Sequence, residues 1–259
     1  MTTERIHWDG HLVTEAVELL RAGGNIVVSP TKVGYIILTS DKKSLERKFA
    51  VKNRNRNKPG VVLCGSLEQL TELAELTDEA LEFYRTHCEQ DILMGCILPW
   101  KDSGRAYIPK NGADELVMDA RGTSCFVLRF GIPSEQIVQE LWEKDRTVVF
   151  ASSANPSGKG NRGLVAGIGT AIESQADLII EGDDYVRSIQ PDSTADTRYE
   201  QGVMVSFVDD RGELVPEQHG ERLISPAPTL IRAGLSVDRI MVNLAEQFPS
   251  WDYRHGLYY

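Results

Sequence analysis

Apolar positions recur with two periods along the chain, and together they predict alternating helices and strands. Leu12, Ala16, Leu19 and Leu20 share one helical face, so Leu12 to Arg21 is expected as an amphipathic helix stopped by Gly23-Gly24. Asn25 to Ser29 is a short buried strand, Pro30-Thr31-Lys32 a turn, and Tyr35 to Leu38 a second strand. Asp41 caps a helix from Lys42 to Val51. Asn53 to Pro59 is a polar loop before a strand at Val61 to Cys64. Ser66 and Asp78 start helices reaching Leu76 and Cys88. Ile92 to Leu98 is a strand ended by Pro99, Lys101 to Gly112 a loop, and Cys125 to Arg129 a strand. Pro133 opens a helix to Lys144. Thr147 to Ala151 is a strand running into Ser152-Ser153-Ala154-Asn155-Pro156-Ser157-Gly158. A helix near Gly163 to Ser174 follows, then strands at Asp177 to Glu181, Val203 to Val208 and Thr229 to Arg232, and a last helix at Val237 to Gln247.

This alternation predicts an α/β fold: one domain with a twisted mixed sheet, largely buried and flanked by helices. Residues 10–235 form that domain, and 236–259 add a helix and an aromatic tail. Asp209 to Pro228 reads as a long loop or hairpin within it. The tail carries Phe248, Trp251, Tyr253, Tyr258 and Tyr259, a density expected to dock on the body or on a partner.

Composition narrows the class. The chain has 259 residues, 41% hydrophobic and 25% charged, which excludes wholesale disorder. No apolar run approaches the roughly 20 residues of a membrane helix. Met1-Thr2-Thr3-Glu4-Arg5 has no signal-peptide apolar stretch behind it, so the cytoplasm is the expected compartment. Cys64, Cys88, Cys96 and Cys125 are widely spaced and read as reduced, mostly buried thiols. The net charge of −10 argues against a dedicated nucleic-acid binder. Its distribution is uneven. Between Asp41 and Pro59 stand Lys42, Lys43, Arg47, Lys48, Lys52, Arg54, Arg56 and Lys58 against Glu46 alone, so this stretch carries +7 and the rest −17. A basic focus on an acidic protein suits a small polyanion. A solvated helix face with a charged turn is the plainer alternative.

Candidate chemistry is then found at strand ends. His7, His11, His87, His219 and His255 sit in separate segments, and there is no HExxH, Walker A or GxGxxG sequence. The acid pairs Asp183-Asp184 and Asp209-Asp210 read as solvated loop groups, so no metal site is expected. In open α/β sheets, ligands favour the carboxyl ends of strands. Three such places stand out: Ser29-Pro30-Thr31, the Ser152 to Asn155 loop, and Lys52 to Lys58. A lysine and an arginine two apart, Lys52 and Arg54, can converge on one phosphate, the arginine as a fork and the lysine as a point charge. A Ser-Ser-Ala-Asn loop offers hydroxyls, an amide and backbone N–H groups to phosphate or carboxylate oxygens.

The order Pro30-Thr31-x-x-x-Tyr35, Lys52-x-Arg54-x-x-x-Lys58-Pro59, Ser152-Ser153-Ala154-Asn155-Pro156-Ser157-Gly158 resembles the YrdC/YciO family of threonylcarbamoyl-AMP synthases. Leu178 to Gly182, Ser193-Thr194 and Leu230-Ile231-Arg232-Ala233-Gly234 extend the resemblance, which spans roughly Leu12 to Gly234. It implies a sheet with a concave, positively lined cavity. It implies joining L-threonine, bicarbonate or CO2, and ATP into threonylcarbamoyl-AMP and pyrophosphate, for threonylcarbamoyl modification of tRNA adenosine. ATP is then a substrate, with Mg2+ on its phosphates. The implied partners are small molecules and tRNA-modification proteins, with little or no direct nucleic-acid binding and no membrane. Carried over by position, Lys52 and Arg54 are the catalytic pair and hold the triphosphate. Lys58, Ser152, Ser153, Asn155 and Arg232 join them around the nucleotide. Thr31, Lys32, Val33, Tyr35, Arg129, Ser153, Ser193 and Thr194 face the amino acid.

Two departures redirect selectivity. The family motif Pro-Thr-Glu/Asp-Thr-x-Tyr is here Pro30-Thr31-Lys32-Val33-Gly34-Tyr35, which reverses one charge and removes one hydroxyl. The family's Trp-Pro-Gly-Pro-Leu-Thr segment is also missing from Asp91 to Pro99. A diverged relative that uses another amino acid or amine, or hydrolyses a carbamoyl-adenylate, therefore stands beside the synthase reading. A non-catalytic RNA- or nucleotide-binding module is the third reading.

Overall fold

A computed structural model describes residues 3–52, 60–156, 160–221, 223 and 228–253. Among them run eleven strands: β1 (Glu4–His7), β2 (Val27–Thr31), β3 (Gly34–Thr39), β4 (Val61–Leu63), β5 (Met94–Pro99), β6 (Thr123–Leu128), β7 (Val149–Ser153), β8 (Leu178–Glu181), β9 (Val203–Ser206), β10 (Thr229–Arg232) and β11 (Asp252–Tyr253). They form one sheet in the order β1-β8-β2-β3-β7-β4-β6-β5-β9-β10-β11. Pairing is mixed: β2–β3 and β3–β7 are antiparallel, whereas β2–β8, β4–β6 and β5–β9 are parallel.

The helices are α1 (Thr14–Ala22), α2 (Lys42–Lys52), α3 (Leu67–Leu73), α4 (Asp78–Glu89), α5 (Asp102–Arg105), α6 (Asp114–Val117), α7 (Ile132–Asp145), α8 (Thr170–Glu173), α9 (Asp183–Ile189) and α10 (Val237–Gln247). Their starts follow local chemistry. Asp41 accepts from Ser44 N (2.9 Å) to begin α2, and Ser66 accepts from Gln69 N (3.1 Å) to begin α3. For α4 the capping oxygen belongs to Thr77, which accepts from Ala80 N at 3.1 Å; Asp78 is the first helical residue and places its charge at the positive end.

Strand alternation divides the core in two. From β4, Val62 belongs to one apolar cluster with Phe83 and Tyr84 of α4, Leu70 of α3 and Leu244 of α10. Its neighbour Leu63 packs on the opposite face with Leu20 of α1 and Ile137 of α7. The last helix and the start of the tail belong to the first of these cores. Phe248 is fully buried, its ring 5.6 Å from Phe83 and 5.0 Å from Phe207. Tyr258 and Tyr259 lie outside the described residues.

Several short elements escape sequence periodicity. β1 adds an edge strand beside β8, and α5, α6 and α9 are one or two turns each. The expected helix at Gly163 to Ser174 is a 3-10 turn at Val165–Ile168 followed by α8, broken by Gly169 at φ 84°. No helix among the described residues is long and apolar enough to cross a membrane.

Candidate active site

The uncovered part of the α1/α7 face holds a cavity of about 420 Å³. Its floor is the sheet: Val61 and Leu63 of β4, Val127 of β6 and Ala151 of β7. Its walls are the β2–β3 turn, Leu93 ahead of β5, Phe130 behind β6, the segment Glu200 to Gly202, and Arg232 at the end of β10. The expectation of a positively lined cavity needs correcting for this described part. Most of the wall is aliphatic or aromatic; Arg232 is its one cation and Glu200 its one acid among the described residues. The basic positions Arg54 and Lys58 lie outside the described residues.

Lys52 enters from the far face. It is the last residue of α2, and its Nζ reaches the carboxyl end of β7, donating to Ser153 O and to Ser153 Oγ, the latter at 3.0 Å. Lys52 is only 7% exposed, and Ser153 lines the cavity. A desolvated ammonium is stable only with oxygens around it, which accounts for the pairing. Ser152 alternates to the other side of β7. Its Oγ is buried with no hydrogen-bond partner among the described residues. A buried hydroxyl without a partner is rare in folded proteins and marks a place where a ligand or water can complete the bonding. Asn155 sits just beyond, its Nδ2 donating to Pro156 O at 3.0 Å.

The β2–β3 turn is held by its own hydrogen bonds. Thr31 Oγ1 donates to Gly34 O at 2.8 Å. Gly34 has φ 136°, and a Cβ there would lie 2.2 Å from Asn161 Oδ1, so only glycine fits. Asn161 carried no signal in the sequence, yet it organises the site. Its Nδ2 donates to Tyr35 O and Ala154 O at 3.1 and 3.2 Å, locking the Ser152 to Asn155 loop onto β3. Tyr35 lines the cavity, but its hydroxyl is spent elsewhere. It donates to Asp183 Oδ1 at 2.5 Å and accepts from Gly182 N at 2.9 Å. Burial, reinforced by Asp183, holds its pKa well above the ordinary tyrosine value, so it stays protonated. Asp183 is thus a structural acceptor rather than a solvated loop acid.

Six expected members among the described residues do not line the cavity: Lys52 and Asn155, placed above, and Lys32, Arg129, Ser193 and Thr194. Lys32 is buried, and its Nζ donates to Asp91 O (2.6 Å) and pairs with Asp91 Oδ1 (2.8 Å). Arg129, at φ 56°, follows β6, and its guanidinium lies against the Cys88 thiol. Ser193 Oγ closes a local turn by donating to Gln190 O at 2.7 Å, and Thr194 Oγ1 is hydrogen-bonded to Thr197 Oγ1 at 3.1 Å. Both lie on the loop that leads to Glu200 and Gln201, which do reach the wall. A hydroxyl pair in sequence marks the loop; only the chain path shows which of its residues face inward.

Cys125 is the one thiol in the described wall. Burial pushes its pKa up to about 12 despite the opposing pull of Arg232. It is therefore a thiol at neutral pH and no nucleophile. No cluster of three or more His, Cys, Asp or Glu side chains suited to a metal occurs among the described residues.

The model of the Sua5/YciO/YrdC family, described as telomere recombination, matches residues 18–205. The chain belongs to this family. Among solved structures it is similar to the hypothetical protein smu.1377c of Streptococcus mutans UA159, at 57% identity and TM-score 0.93, with all of both chains covered. It shares its fold with P. abyssi Sua5 in complex with L-threonine (20% identity, TM-score 0.61, 98% of this chain and 62% of that one). It also shares it with E. coli YciO (18% identity, TM-score 0.58, 91% of this chain and 97% of that one). Among curated proteins no relative matches.

Proposed function

We propose that this protein forms a carbamoyl-adenylate from ATP, bicarbonate or CO2, and an amino acid of threonine's size, as a threonylcarbamoyl-AMP synthase does. The observation that carries the reading is Lys52: a buried ammonium held on Ser153, at a strand's carboxyl end, beside the cavity. Family membership and a structure of the same fold, P. abyssi Sua5, solved in complex with L-threonine support the same reading.

The chemistry needs no protein nucleophile. The amine of the acceptor attacks CO2 and becomes a carbamate. A carbamate oxygen attacks the α-phosphorus, and pyrophosphate leaves. Lys52 places positive charge where phosphate oxygens gather, with Arg54 and Lys58 as the further cations of that segment. Ser153, Ser152 and Asn155 supply hydrogen-bonding groups beside it, and Arg232, whose Nε donates to Gly202 O at 3.0 Å, brings a guanidinium to the cavity wall. The remaining wall, largely apolar, keeps water from the carbamate. Mg2+ is expected to travel on the triphosphate and to offset its charge. The described donor set offers no metal cluster, so no step is assigned to a protein-held ion. A role in tRNA modification follows from the same reading, with the acceptor RNA served by other proteins.

The test is pyrophosphate release with ATP, Mg2+ and bicarbonate across a panel of amino acids, with mass detection of the adenylate. Amino-acid-dependent release with a matching carbamoyl-AMP mass is the expected result. Absence of release with every amino acid overturns the reading.

A further inference from the structure

The cavity proposed to take a polyanion has an acid in its wall. Glu200 Oε1 accepts from the backbone N–H of Arg162, and a Cβ on Gly160 would fall on the Glu200 carboxylate, so a glycine makes room for its seat. Both sides of this contact are fixed through their backbones. On one side, Tyr199 N donates to Gln190 Oε1 at 2.8 Å and Gln190 Nε2 donates to Tyr199 O at 2.9 Å. Gln201 Nε2 donates to Ala233 O and Leu235 N donates to Gln201 O, each at 2.9 Å. Gly202 O accepts from Arg232 Nε at 3.0 Å. On the other side, Asn161, next to Arg162, is buried and bound to Tyr35 O and Ala154 O. The Glu200 side chain is therefore the part of the contact that can turn without moving the chain.

Arg198, two residues earlier, carries the nearest opposite charge on the same segment. Its guanidinium lies against Gly163, where a Cβ would fall on it, and donates to Val186 O at 3.3 Å rather than to Glu200. Glu200 is in no ion pair among the described residues, so its charge acts on any anion that enters the cavity.

We propose that Glu200 is a charge gate. Seated on Arg162 N, its carboxylate repels polyphosphate from the empty cavity. A polyphosphate binds better to the protein in which that carboxylate has turned out, so it shifts the population toward the open form. The inference rests on the carbamoyl-adenylate reading for the class of ligand, but not for the chemistry done on it.

The probe is inorganic tripolyphosphate, titrated calorimetrically into the full chain without divalent metal, for wild type and Glu200→Gln. Glutamine keeps the length of the side chain and an oxygen for Arg162 N, and loses only the charge. The variant is expected to bind about tenfold more tightly, the effect of removing one screened charge from a polyanion's cavity. The seat itself is read by amide hydrogen exchange at Arg162, an exposed residue whose N–H bonds the Glu200 carboxylate. Its exchange is expected to quicken about tenfold or more in Glu200→Ala and to change little in Glu200→Gln. Tripolyphosphate binding that is unchanged or weaker in Glu200→Gln, or absent from both proteins, overturns the inference. Equal exchange at Arg162 in wild type and Glu200→Ala overturns it as well. Amino-acid-dependent pyrophosphate release without tighter tripolyphosphate binding in Glu200→Gln removes the gate and leaves the adenylate reading standing. Tighter binding with no release by any amino acid upholds the gate and removes the adenylate reading instead.

Discussion

Replacing Lys32 by glutamate, the residue type expected there from the family motif, is predicted to destabilise this protein strongly. The Lys32 side chain is 6% exposed, and its ammonium touches both the carbonyl and the carboxylate of Asp91. A glutamate would bring a third acceptor to that point. Two unit charges about 4 Å apart repel by about 4 kcal/mol at an effective dielectric of about 20. The Asp91 side chain is 71% exposed, so solvent reduces this to about 2 kcal/mol. Desolvating the new carboxylate adds about as much again, for a total of about 3–5 kcal/mol. Lys32→Met tests the arithmetic. It removes the buried charge, leaves Asp91 to water, and costs only the donor to the Asp91 carbonyl, about 1 kcal/mol. The assay is equilibrium urea unfolding. With a slope of about 3 kcal/mol/M for a chain of this size, the midpoint falls by about 1–1.7 M for Lys32→Glu and by about 0.3 M for Lys32→Met. Adding Asp91→Asn to Lys32→Glu is expected to restore about 2 kcal/mol, since asparagine tolerates the φ of 52° at this position. Equal midpoints for the Glu and Met variants would refute the reasoning, because the Asp91 contact would then have no sign.

Three further outcomes follow. Lys52→Ala is expected to lower amino-acid-dependent pyrophosphate release by about a hundredfold or more, with the urea midpoint within about 0.5 M of wild type; full activity would remove Lys52 from the site. Tyr35→Phe deletes a hydrogen bond to Asp183 and orphans Gly182 N, so a loss of about 2–4 kcal/mol is expected by the same unfolding assay. Stability is also expected to fall as the pH drops from about 6.5 toward 5, because His87 is buried as a neutral ring. Its Nδ1 donates to Phe83 O at 2.6 Å while Nε2 accepts a hydrogen bond from Asn243 Nδ2 at 3.0 Å, and burial lowers its pKa. The unfolded chain then binds the proton more readily than the folded one, so acid favours unfolding, and His87→Gln should flatten the dependence over that window.

The architecture explains why the site combines one buried cation with an apolar chamber. Lys52 ends a helix on one face of the sheet, while the cavity lies on the other. The ammonium reaches the ligand side only at the open end of β7, where the strand stops. The apolar chamber is the stretch of sheet that α1 and α7 leave uncovered. Its residues would be ordinary core if a helix lay over them.

Local chemistry, carried by neighbours in the chain, determined a large part of this protein. Period-two runs such as Tyr35 to Leu38 and the capping residues Asp41 and Ser66 placed the main elements, since pleat and helix period act over a few residues. Hydroxyls, an amide and a lysine at strand ends pointed to a candidate site, because ligands of open α/β sheets favour the carboxyl ends of strands. Short elements were illegible: β1 is a strand only because β8 offers an edge, and α9 begins where Asp183 is held by Tyr35. Which side chains face the cavity was decided by tertiary structure alone. Lys32, Arg129, Ser193 and Thr194 carry the right atoms but spend them on nearby partners, whereas Leu93, Phe130 and Asn161 carry no signal and build the wall or lock its loop. The physical reason is that a buried polar group takes the nearest partner that satisfies it, and that partner is set by how distant segments meet.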